Sequence, residues 1–118
     1  MRRGDVWWAE LAPRSGSEQH GRRPVVVVSH DAFNAVEGWR SVIVVPLTTS
    51  ERQRRVGPTA VAFPAGTAGL PAASVALCHQ VTTLDRAKLV DLIGALPAEG
   101  LRRLEHGVVA ALDLRVVG

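Results

Sequence analysis

Cys78 is the only cysteine, so no internal disulfide can form and no paired CxxC metal or redox site exists. Long hydrophobic runs are also missing. Stretches such as Val25 to Val28 and Val42 to Leu47 fall far short of the roughly 20 residues that span a bilayer. The opening MRRGDVWW has acid and aromatics where a signal peptide needs an apolar core and a small-residue cleavage site, so a cytoplasmic, non-membrane protein is expected. There is no Gly-rich phosphate loop and no G-x-S-x-G elbow. The four histidines, at 20, 30, 79 and 106, lack ligand spacing, so neither a metal nor another cofactor is expected. Lysine is nearly absent: Lys88 stands alone among 14 basic residues.

What is present suits a small globular protein. At 118 residues a single domain over 1–118 is expected, able to bury a core without staples. The net charge is only +3, but arginines gather in two places, Arg14, Arg22 and Arg23 in one loop and Arg52, Arg54 and Arg55 in another. The arginine excess accompanies abundant alanine, valine and glycine, as GC-rich coding would produce. Its clustering nevertheless points to an anionic strand as partner.

The first part of the chain reads as short strands between turns. Residues 5–11 (DVWWAEL), 24–29 (PVVVVS), 41–48 (SVIVVPLT), 59–63, 74–81 (SVALCHQV) and 90–96 carry β-branched or alternating patterns. Alternation through the fifth would put Val75, Leu77, His79 and Val81 on one face. Pro46 inside the third predicts a sheet edge or a bulge. Trp7 and Trp8 should point to opposite faces, one into the core and one to an interface or a base-stacking platform. A short helix is expected over 31–36 with Ser29 as its cap. After Pro97 the period changes, and Leu101, Leu104, Val108 and Leu112 fall on one helical face. Gly100 and Gly107 each weaken that helix by about 1 kcal/mol relative to alanine. Such a pattern predicts a small barrel or sandwich of curled sheet with helices laid against it.

The polar residues at strand ends form the candidate chemistry: Ser17, Glu18, Gln19, His20, Arg22 and Arg23; Thr48, Thr49 and Ser50; His79, Gln80, Thr82 and Thr83. Arginines, hydroxyls and amides without a metal suit a phosphodiester. RNA carries its own nucleophile in the 2′-hydroxyl, so an enzyme need only align it, move protons and stabilise the charged phosphorane. Guanidinium matches two phosphate oxygens, and fixed donors aimed at developing charge supply about 10²–10³ in rate each. Each feature alone has a plain reading. Arg-Pro can be a solvated loop end, Thr48-Thr49 a turn hydrogen bond, and His79 a half-buried strand residue.

The order of these pieces resembles the MazF/PemK-like toxins of bacterial toxin–antitoxin systems. The matching segments are RGDVWWAEL (3–11), GSEQHGRRPVVVVS (16–29), DAFN (31–34), VIVVPLTTS (42–50), SVALCHQVTTLD (74–85) and LPAEGLRRLEHGVVAALDL (96–114). The resemblance implies an SH3-like small barrel, mainly β, with a C-terminal α-helix, and a two-fold homodimer. It implies a metal-independent endoribonuclease that cuts single-stranded RNA (mRNA, tRNA or rRNA) and leaves 2′,3′-cyclic phosphate and 5′-hydroxyl ends. A cognate MazE-like antitoxin is the implied partner.

The family's catalytic arginine before proline falls on Arg23, its threonine on Thr48, and its glutamate on Glu18. Ser17, Gln19, Arg22, Thr49, His79 and Gln80 fall at or beside positions for RNA contact. His79 replaces a residue often acidic in relatives, and His20 a small one. An arginine pKa above about 12 makes a poor base, so Arg23 is expected to stabilise the phosphorane and donate a proton, with Thr48 as second donor. Glu18, His20 and the phosphate itself stay open as proton acceptors. Two rival readings are a non-enzymatic CcdB-like gyrase poison of the same fold and a barrel that binds RNA without cutting it.

Overall fold

The computed structural model describes residues 1–11, 21–49 and 57–115. Within them the order is β1 (Asp5–Leu11), β2 (Gly21–Val27), α1 (Asp31–Asn34), β3 (Ser41–Thr48), β4 (Ala60–Phe63), β5 (Ser74–Leu77), β6 (Thr82–Asp85), β7 (Leu89–Ala95) and α2 (Ala98–Ala111). The strands form one antiparallel sheet in the order β4-β5-β3-β2-β1-β7, with β6 also on β3. The mainly-β class with a C-terminal helix is as expected. Full closure is not: among the described residues β4 and β7 do not pair. A loop turn at Thr67–Gly69 lies against β7 instead, so close that a Cβ on Gly94 would sit 2.1 Å from the Ala68 carbonyl oxygen.

Both faces of the central strands are buried, which is why β2 and β3 read as unbroken apolar runs. Val26, Val45 and Leu47 point to one face with Leu104 of α2; Val25, Val27, Val42 and Val44 point to the other with Ala9 and Leu89. Every one of these side chains is nearly inaccessible to solvent.

The expected strand over 74–81 is interrupted. Between the pairs Leu47–Ala76 and Val44–Thr82, β3 advances three residues while the opposing chain advances six. The three extra residues form a 3₁₀ turn, Cys78–Gln80, anchored by the Cys78 N–H on the Thr59 carbonyl at 2.9 Å. His79 therefore does not continue the face of Val75 and Leu77. Pro46 sits on β3 opposite this interruption, between the residues paired to β6 and those paired to β5. Ile43 accepts from the Val28 N–H on the β2 side, so by strand alternation the Pro46 nitrogen faces the gap, where no ladder bond is lost. The bulge predicted from Pro46 exists, but in the facing chain; β3 itself is central.

Two helix expectations also change. α1 is shorter than 31–36, and its N-cap is His30, whose Nδ1 accepts from the Ala32 N–H at 2.9 Å. Ser29 is used otherwise: its hydroxyl donates to Asn34 Oδ1 at 2.6 Å and accepts from the Ile43 N–H at 3.2 Å. In α2, Leu104 is fully buried, while Leu112 lies beyond the helix and is 52 % exposed. The buried stripe includes Gly100 and Gly107. A Cβ at Gly107 would meet Cys78 Sγ at 2.6 Å and Val61 Cγ2 at 3.0 Å, so the missing side chain lets α2 lie directly on the sheet.

Candidate active site

Where β2 starts and β3 ends lies a cavity of ≈ 280 Å³ of mixed polar and apolar lining, formed by Trp8, Arg22, Arg23, Pro24, Leu47, Thr48, Thr49, Pro71, Ala72 and Ser74. Its construction follows from register. β2 pairs with β1 along its whole length, from Gly21 opposite Leu11 to Val26 opposite Val6. Its pairing with β3 begins only at Val25, opposite Pro46. Extending that register by one position puts Pro24 opposite Leu47, and by two puts Arg23 opposite Thr48. The ladder stops at Pro24 because proline has no N–H to offer β3.

Arg23 Nε donates to the Leu47 carbonyl at 3.0 Å. This bond fixes one edge of the guanidinium beside Thr48. Arg23 is partly buried, and desolvation lowers its pKa from the usual arginine value. The group is still a cation at neutral pH. Thr48 is only 6 % exposed, although it lines the cavity. A half-dry site of this kind strengthens any hydrogen bond made to an anion.

Arg22 differs from its neighbour. It is 52 % exposed and pairs with Asp91, 58 % exposed, at 3.0 Å. An ion pair this open is weak, about 0–1 kcal/mol, so an incoming phosphate can compete for Arg22. Thr49 is exposed at the cavity mouth.

Of the residues expected from sequence, Arg22, Arg23, Thr48 and Thr49 come together. Ser17, Glu18, Gln19 and His20 lie outside the described residues, as does Ser50. His79 and Gln80 are exposed on the 3₁₀ turn and do not line the cavity. The two tryptophans divide as strand alternation predicts. Trp7 packs on the second apolar face with its indole N–H buried, while Trp8 forms a cavity wall. The opposite wall, Pro71, Ala72 and Ser74, was not foreseen. It carries no charge, and only the hydroxyl of Ser74, which donates to the Ala72 carbonyl at 2.9 Å, gives it polarity. Among the described residues no three histidine, cysteine or carboxylate side chains converge as metal ligands would.

A cavity holding a buried threonine, a guanidinium anchored on a backbone carbonyl and a second, exposed arginine can bind a phosphodiester and stabilise charge on it. A family model described as the PemK-like, MazF-like toxin of type II toxin–antitoxin systems matches residues 2–112. Endoribonuclease MazF9 of Mycobacterium tuberculosis is 36 % identical over 117 residues, covering 97 % of this chain and 98 % of the relative. Endoribonuclease MazF2 of Mycobacterium bovis is 34 % identical over 112 residues, covering 95 % and 96 %. A solved mycobacterial endoribonuclease in complex with its cognate antitoxin superposes with a TM-score of 0.79 at 26 % identity, over 99 % of both chains. The chain belongs to the PemK-like, MazF-like toxin family of type II toxin–antitoxin systems.

Proposed function

We propose that this toxin is an endoribonuclease that cuts single-stranded RNA by attack of the substrate's own 2′-hydroxyl, and that it works without a metal. The observation that carries this reading is that Arg23 and Thr48 line one cavity, with Arg23 Nε bonded to the carbonyl of Leu47, the residue before Thr48. The relatives' names as endoribonucleases support it, and they do not favour a gyrase poison.

In the reaction the 2′-oxygen bonds to phosphorus and the P–O5′ bond breaks. The 2′-hydroxyl gives up its proton, and the departing 5′-oxygen gains one. Products are a 2′,3′-cyclic phosphate and a 5′-hydroxyl. Arg23 and Thr48 donate to the phosphorane oxygens as charge builds, each worth about 10²–10³ in rate. Arg23 is also the donor to the 5′-oxygen. The single proton acceptor is Glu18, His20 or a phosphate oxygen, since Arg23 is already protonated at neutral pH and cannot serve. Arg22 and Thr49 hold the RNA backbone, and Trp8 gives a flat wall for a base. Ser17, Gln19, His79 and Gln80 complete the proposed RNA contacts.

The working unit is a cytoplasmic homodimer of this single domain, silenced by a cognate MazE-like antitoxin. The solved relative bound to its own antitoxin supports that partner. The test is direct. Purified protein mixed with a long single-stranded RNA and excess EDTA is expected to yield discrete fragments with cyclic-phosphate ends. Intact RNA, or cleavage only after added metal, contradicts the proposal. RNA bound in a salt-dependent manner but left whole would favour the non-cutting barrel.

A further inference from the structure

Pro24 lies in the cavity wall beside Arg23. In the β2–β3 ladder, Val28 donates its N–H to the Ile43 carbonyl at 2.8 Å. Alternation from that pair turns the backbone groups of Leu47 toward β2 and the nitrogen of residue 24 toward β3. Any other amino acid at 24 would aim an N–H at the Leu47 carbonyl. Proline aims none, and the carbonyl receives the Arg23 Nε–H instead, at 3.0 Å. On its other edge β2 pairs with β1, where Trp8 faces Pro24. The nitrogen of Pro24 points away from β1, so that ladder loses nothing.

We infer that Pro24 is a positioning residue, acting by the N–H it lacks: it reserves the Leu47 carbonyl for Arg23 and thereby holds the guanidinium at Thr48. A restored N–H would compete with the Arg23 Nε–H for the Leu47 carbonyl and weaken that anchor. A flexible arginine side chain loses entropy each time it is ordered, so an anchor already made at Nε lowers the cost of presenting the guanidinium to a phosphate. The catalytic consequence rests on the endoribonuclease reading; the anchoring itself does not.

Two full-length chains test this: Pro24→Ala, and the same chain with N-methylalanine at position 24, made by ligation of synthetic segments. They share a side chain and lack the proline ring, and they differ in the N–H. Two quantities are read: hydrogen exchange of the Arg23 Nε–H by ¹⁵N NMR, and kcat with KM on RNA. The wild type and the N-methylalanine chain are expected to protect Nε–H and to share kcat. Pro24→Ala is expected to lose the protection and about 10- to 100-fold in kcat, with KM little changed. Equal loss in both chains would assign the effect to the ring's rigidity and overturn the inference. So would unprotected Nε–H in the wild type, even if Pro24→Ala fails to fold. A wild type that protects Nε–H but leaves RNA intact would refute the endoribonuclease reading and keep the anchor.

Discussion

The two ends of the sheet are each shaped by an atom that is not there, and they use the vacancy in opposite ways. Under α2, Gly107 omits a Cβ, and the helix closes onto Cys78 and Val61 until no room is left. At the cavity, Pro24 omits an N–H, and the ladder between β2 and β3 opens beyond Val25. The first omission completes an apolar contact and serves stability. The second leaves a carbonyl to a side chain and serves chemistry. Cys78 shows the character of the packed end. Its Sγ lies 3.8 Å from the Leu104 carbonyl oxygen, and burial raises its thiol pKa to about 11. It is therefore an inert packing group at neutral pH. Arg23, at the open end, is a cation poised on solvent and backbone.

The sharpest way to break this contrast is at Arg23. Arg23→Ala is expected to lower the RNA cleavage rate by about 10²–10³. Its thermal midpoint should stay within a few degrees of the wild type. Undiminished cutting would clear Arg23 of a catalytic part, and a collapsed midpoint would make it a structural residue.

Gly107→Ala probes the other end. On an ordinary helix, glycine to alanine stabilises by about 1 kcal/mol. Here the new methyl has to displace a buried sulfur, and a loss of about 1–3 kcal/mol is expected by denaturant titration. Activity per folded molecule should be unchanged. Adding Cys78→Ala should restore part of the loss, because the two sites touch. A stabilised Gly107→Ala variant would contradict the close contact.

Arg22→Ala should give the smallest effect. With its exposed partner Asp91, it contributes little to folding. RNA affinity should fall a few-fold, and the salt dependence of binding should flatten by about one phosphate contact. An effect as large as that of Arg23→Ala would erase the distinction between the two arginines.

The first and third strands were legible to the residue, because DVWWAEL and SVIVVPLT are each bounded by strong turn or polar signals. β2 begins at Gly21 rather than at Pro24, because its early residues are held by β1 alone. The break after Leu77 was hidden. Cys78, His79 and Gln80 run on from SVAL with no glycine or proline to mark a break, and only the register against β3 reveals three surplus residues. Gly107 read as a weak point of a helix because propensity sees the helix alone and the facing sulfur is a tertiary fact. In the site, Arg23 and Thr48 stood out by residue type. Pro71 and Ala72 did not, since a neutral loop becomes a cavity wall only through where the chain folds it.

If the protein supplies position and charge while the RNA supplies the nucleophile, the decisive change is in the substrate. A short RNA carrying one 2′-deoxynucleotide immediately 5′ of a mapped cleavage site should be incubated with wild-type protein in EDTA. Cutting at that site is expected to disappear while the modified strand still competes for binding. Continued cutting there would show that the attacking oxygen comes from elsewhere, and would contradict the mechanism.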